Sequence, residues 1–60
     1  MSELKKVGGY ILVYEPLMKM YRVIHGDTMS LWFDSHAADD LLLLDDNSFI
    51  DECENNFEFS

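Results

Sequence analysis

The chain has 60 residues, carries 12 Asp and Glu against 4 Lys and Arg for a net charge of −8, and is 48% hydrophobic and 13% aromatic. That length excludes a second domain, that charge disfavours direct binding to nucleic acid or an anionic membrane, and that apolar share excludes a disordered acidic tail. A domain this small buries only about 60% of its unfolded surface. It commonly needs a disulfide, a metal or a partner chain. The single cysteine, Cys53, forbids an internal disulfide, and a lone thiol fits a reducing compartment.

The start, Met1-Ser2-Glu3-Leu4-Lys5-Lys6, lacks the apolar run of a secretion signal, and no stretch reaches the roughly 20 apolar residues of a membrane span. The expectation is a soluble, cytoplasmic protein. Val7 to Tyr14 is rich in β-branched and aromatic residues and predicts a first strand. Glu15-Pro16-Leu17-Met18 predicts a turn, because Pro fixes φ and donates nothing to a ladder. Lys19 to His25 and Thr28 to Phe33 predict two more strands, joined by a type II′ turn at Gly26-Asp27.

This register pairs Tyr14 with Lys19, Ile11 with Arg22 and Ile24 with Met29. It puts Ile11, Val13, Met20, Ile24, Met29, Leu31 and Phe33 on one face, with Arg22 among them. The other face holds Tyr10, Leu12, Tyr14, Tyr21, Val23 and Trp32. Both are apolar, whereas a sheet with one solvated face alternates more cleanly.

Residues 35–44 predict a helix, capped by Asp34 or Ser35, with Ala37, Ala38, Leu41 and Leu42 at helical spacing. It is expected to cover the aliphatic face. Residues 48–57 predict a second helix on Phe49, Ile50, Cys53 and Phe57, opened by Ser48 with Asp51 three residues on; a last strand through Phe57 and Phe59 is the alternative. The expected fold is therefore α+β: one domain over residues 1–60, with a three-stranded antiparallel meander followed by one or two short acidic helices.

Little in this chain reads as catalysis. His25 sits at a turn and His36 in the first turn of a helix, and no spacing joins either to Cys53, which reads as a core residue. Not an enzyme, and no cofactor, is the expectation. A calcium loop starting at Asp45 would find Asn47 at its third position, but Phe49, Ile50 and Asn56 fail the fifth, sixth and twelfth. No dedicated metal site is predicted.

Charge distribution is the stronger signal. Residues 1–33 hold Glu3, Glu15 and Asp27 against Lys5, Lys6, Lys19 and Arg22, a balance of +1. Residues 34–60 hold nine acidic side chains and no Lys or Arg. Among them Asp39-Asp40, Asp45-Asp46 and Asp51-Glu52 are pairs six residues apart, with Glu54 close behind. Along a helix, six residues rise about 9 Å, of the order of the separation between neighbouring phosphates on a nucleic-acid strand. Asp39, Asp40, Asp45, Asp46, Asp51, Glu52 and Glu54 are thus the candidate partner-binding residues. The bland alternative is a solvated acidic face that aids solubility. Exposed Tyr10, Tyr14, Tyr21 and Trp32 would form a second candidate interface, unless the C-terminal Phe49, Phe57 and Phe59 fold over them.

In size, charge and these acidic pairs the chain resembles small virus-encoded proteins that inhibit host nucleic-acid enzymes, such as uracil-DNA glycosylase inhibitors, anti-restriction proteins and anti-CRISPR proteins. The likeness covers about half of the chain and contains no sequence motif. It implies a phage inhibitor in the host cytoplasm, acting by DNA mimicry or charge-matched docking on a basic, nucleic-acid-binding enzyme. The alternative is a homo-oligomeric accessory or regulatory subunit, a homodimer for example, whose aromatic sheet face makes the interface.

Overall fold

The computed structural model describes residues 1–60. Four strands, β1 (Ser2–Val7), β2 (Tyr10–Glu15), β3 (Met20–His25) and β4 (Thr28–Met29), form an antiparallel meander in the order β1-β2-β3-β4. Two helices follow, α1 (Ser35–Leu42) and α2 (Asp46–Asn56). The α+β class and the meander-then-helices order are as expected, but the sheet has one more strand. The predicted strand Val7 to Tyr14 is split at Gly8-Gly9, where φ is +57° and +83°. Only glycine takes that left-handed region cheaply, so the pair closes a tight hairpin and the charged N-terminal residues become β1.

The β2–β3 register also differs. Tyr14 pairs with Tyr21, Val13 with Arg22 and Ile11 with Ile24. The loop runs from Pro16 to Lys19, one residue later than predicted. The Glu15 carbonyl accepts from Lys19 N–H at 2.7 Å, the Glu15 carboxylate accepts from Leu17 N–H at 3.0 Å, and Lys19 takes φ +55°. The slip is two residues, so every β2 and β3 side chain keeps its face; a slip of one would have inverted them. At Gly26-Asp27 the prediction holds: His25 pairs with Thr28, and Gly26 has φ +62°.

Beyond β4 the chain inserts one residue. Ser30 N–H donates to the Val23 carbonyl, while Ser30 Oγ accepts from Val23 N–H, both at 2.9 Å. The ladder resumes as Phe33 against Tyr21, so Leu31 and Trp32 together oppose Arg22. This bulge exchanges two predicted positions: Phe33 turns to the helices, and Trp32 lies on the outer face with the Arg22 guanidinium 3.5 Å from its ring centre.

The helices cover the face opposite to the one expected. Leu12 and Val23 of the sheet, Leu41 of α1, and Phe49 and Cys53 of α2 form one buried cluster. Tyr10, Tyr21, Phe33, Phe57 and Phe59 pack around it. Phe59 also bridges to Ser30, and Ser60 exchanges two hydrogen bonds with Met29, so the C-terminal tail extends the sheet beyond β4. Helix and terminal strand pairing, posed as alternatives, both occur. The Cα radius of gyration is 10.3 Å, against about 10 Å for a well-packed chain of this length.

Lys5 ties β1 to the helices. It pairs with Leu12 on the core side of the sheet. Its ammonium lies 5.0 Å from the Phe49 ring centre and donates to the Leu41 and Leu44 carbonyls. The Leu41 oxygen lies in the last turn of α1, which has no basic residue there, and the Leu44 oxygen lies just beyond the helix end. Lys5 thus supplies from another element the cation that a helix C-terminus favours.

Candidate functional site

Both helices begin on an aspartate. Asp34 caps α1 by accepting from Ala37 N–H at 3.1 Å, and Asp45 caps α2 by accepting from Ser48 N–H at 2.8 Å. The predicted opening of the second helix at Ser48 is therefore corrected: Ser48 is the third helical residue, and Asp45 and Asp46 belong to the helix start. The hydrogen bond from Ser48 holds the Asp45 carboxyl below the usual carboxylate range. A lowered folded-state pKa adds stability above the unfolded-state pKa, which is lost as pH falls through the lowered value. Asp45→Ala should therefore be less stable than wild type at neutral pH, with the gap closing in acid. Asp45→Asn, a neutral cap of similar strength, should stay close to wild type at neutral pH and lack this acid-sensitive contribution. Denaturant titrations at several pH values measure both; a gap independent of pH would remove Asp45 as the titrating cap.

Asp39 and Asp40 stand on α1, while Asp46, Asp51, Glu52 and Glu54 stand on α2. All are exposed except Glu52, which is half-buried. The core-facing positions are Ala38 and Leu41 on α1 and Phe49 and Cys53 on α2, so the carboxylates take the remaining sides. The pairs do not form one row. The break after Leu42 separates Asp39-Asp40 from the others, and six residues within α2 amount to about 240° of net rotation. The arrangement is an acidic layer. Two carboxylates are held in place by their own helix: Asn55 Nδ2 donates to the Asp51 carboxylate and Asn56 Nδ2 to the Glu52 carboxylate, both at 2.9 Å.

All four basic side chains belong to the sheet and its loops. The fold is thus polarised into a helical layer of strongly negative charge and a sheet layer near neutrality. Comparison with models of known protein families, with characterised proteins and with solved structures finds no match. Function must be argued from this polarity and from the surfaces it leaves open.

Tyr10, Tyr14, Tyr21 and Trp32 do not share one surface. Tyr10 stacks on His25 at 4.1 Å and approaches Phe59 at 5.8 Å, Tyr14 packs on Tyr21 at 4.9 Å, and Phe57 meets Phe33 at 5.3 Å. All three tyrosines are half-buried, with the C-terminal segment folded over this side. Trp32 stands on the other face. That outer face also carries Ile11, Ile24 and the exposed Met29, and neither helix covers it.

Cys53 is fully buried, and its thiol is pushed up to about 11 by desolvation and the neighbouring Glu52 carboxylate. It stays protonated at neutral pH, where only a thiolate is strongly nucleophilic. His25 and His36 are exposed, and no three His, Cys, Asp or Glu side chains converge in metal-holding geometry. No helix is long and apolar enough to cross a membrane.

One concave feature exists that sequence reasoning missed. Between the helices lies an open groove of about 230 Å³ lined by Ala37, Asp40, Leu41, Leu44, Glu52 and Phe57. Leu44 and Phe57 signalled it only weakly, as apolar residues at the ends of the predicted helices.

Proposed function

We propose that the chain is an acidic binding protein that docks through its helical layer on the basic surface of a nucleic-acid-handling protein and blocks it. One observation carries the reading: residues 34–60 place nine carboxylates, and no Lys or Arg, on and around two helices of one layer. Such a field steers a basic partner at long range and suppresses acidic ones. The docking is charge-matched over a surface, since the pairs do not trace a single strand-like row. A host cytoplasm is the compartment this reading implies.

The test is capture from a cell lysate at low and high salt, with DNA as competitor. A nucleic-acid enzyme captured at low salt and released by salt or DNA is the expected result. The variant Asp39→Asn/Asp40→Asn/Asp51→Asn/Glu54→Gln, which spares both helix caps, should lose at least about tenfold in affinity as its surface field weakens. Unchanged affinity of this folded variant would sink the proposal.

The outer sheet face favours a second reading. The half-buried Ile11, Ile24 and Trp32 and the exposed Met29 lie on a sheet face that neither helix covers, although Val13 on that face is already buried, and a chain this short gains from burying the remainder against a copy of itself. Sedimentation of the purified chain separates the readings: a stable homomer that captures nothing supports an accessory subunit, and a monomer with salt-sensitive capture supports the inhibitor.

A further inference from the structure

The groove between α1 and α2 has a mixed chemistry. Ala37, Leu41, Leu44 and Phe57 supply apolar wall, and the exposed Asp40 and half-buried Glu52 supply negative charge. The Glu52 carboxylate is oriented by Asn56 Nδ2 at 2.9 Å. Metabolite pockets usually span roughly 300–1,000 Å³; at about 230 Å³ and open on one side, this groove suits a single side chain. No basic side chain of the chain pairs with Asp40 or Glu52, although the Lys5 ammonium reaches the main chain of two lining residues, Leu41 and Leu44. Lys5 is engaged with the Leu41 and Leu44 carbonyls, Arg22 lies on Trp32 at the opposite side of the sheet, Lys6 shares that outer face with Ile11, and Lys19 closes the β2–β3 loop.

We propose that this groove receives an arginine side chain from a basic segment of the partner protein, its stem on the apolar wall and its guanidinium between Asp40 and Glu52. This rests on the charge-matched docking proposed above and names the anchor within it. Apolar wall beside carboxylate is the environment of an amphipathic cationic chain, which buries its methylenes and keeps its head polar. Arginine fits better than lysine for three reasons. Its planar fork can donate to two carboxylates at once, it stacks on an aromatic ring such as Phe57, and it is less strongly hydrated than an ammonium. An anchor in a pocket surrounded by weaker charge contacts is also how binding energy is commonly distributed at interfaces.

The experiment uses the full chain, isotope-labelled, titrated at low salt with two octapeptides of equal charge, one alternating Arg and Gly and the other Lys and Gly. The expected result is tighter binding of the arginine peptide, with the largest amide shifts at Ala37, Leu44 and Phe57. Ala37→Leu, which fills the groove without altering charge, should weaken the arginine peptide by about tenfold, as for a lost charge-assisted contact, and leave the lysine peptide unaffected. Should Ala37→Leu disturb the fold, Asp40→Asn/Glu52→Gln replaces it, compared with Asp46→Asn/Glu54→Gln, which removes the same charge elsewhere. The groove pair should cost more. Equal binding of the two peptides, insensitive to Ala37→Leu or equally sensitive to either charge pair, would overturn the anchor while leaving charge-matched docking intact. Binding of neither peptide would overturn both.

Discussion

Phe49→Ala is expected to remove the larger part of the chain's folding stability. Phe49 is completely buried and is the largest side chain in the central cluster. It joins the layers through Leu12 and Val23 of the sheet and Leu41 of α1. Truncating such a phenylalanine costs about 3–5 kcal/mol in lost transfer and cavity terms. A domain of this length has roughly 3–9 kcal/mol in total, at typical stability per residue. The loss is therefore comparable with the whole. It also strips the Lys5 ammonium of the ring it lies over. Phe57→Ala serves as a control: Phe57 is only half-buried at the edge of the same cluster, so this variant should fold with reduced stability. Circular dichroism with denaturant titration measures both. A cooperative Phe49→Ala transition at the wild-type midpoint would mean that the two layers do not depend on this contact.

The fold class was legible because periodicity and turn chemistry are local. The β3 alternation, Gly26-Asp27 and the α1 stripe over Ala38 and Leu41 could be read from neighbouring residues alone. Most of what was not legible depended on distant parts of the chain, with one local exception. Gly8-Gly9 sits inside a run of strand-favouring residues, and composition hid a hairpin that the glycine pair by itself signals. Leu4 to Lys6 lies outside every predicted strand, yet it belongs to a strand, β1. It does so because Lys5 is used by α1 and Phe49, more than thirty residues away. Two apolar sheet faces offered no local criterion for which would be covered. Trp32 and Phe33 exchanged faces because the Ser30 hydroxyl substitutes for a ladder carbonyl. Of the candidate site, the acidic residues and their lack of basic neighbours were readable directly. Their division between two helices was expected too; that Asp46 already lies in the second helix, and the groove those helices enclose, came only with the break after Leu42 and the cap at Asp45.

A contact between α2 and the β1–β2 turn leads to a second large effect, at Gly8. Gly8→Ala should destabilise the chain clearly more than Gly26→Ala, although both positions have nearly the same φ, +57° and +62°. Each substitution forces a side chain into the left-handed region, at about 1–2 kcal/mol. At Gly26 that is the whole cost, because an added Cβ meets nothing within 4 Å. At Gly8 it would stand 2.8 Å from Ile50 Cδ1 and 3.2 Å from Cγ1. Ile50 is half-buried and the nearer atom is the end of its side chain, so rotating that end relieves the closer overlap, while the Cγ1 contact asks for a further shift of a few tenths of an ångström. Overpacking that a side-chain end can relax adds about 1 kcal/mol, the low end of the usual range. A double-mutant cycle isolates the contact: with Ile50→Ala in the background, Gly8→Ala should cost no more than Gly26→Ala, while Gly26→Ala should show no coupling to Ile50. Equal costs in the wild-type background, or no coupling at Gly8, would mean that α2 does not rest on the β1–β2 turn. In that case α2, and with it Asp51, Glu52 and Glu54, would be held on the sheet by the packing of Phe49 and Cys53 against Leu12 and Val23, without help from the turn.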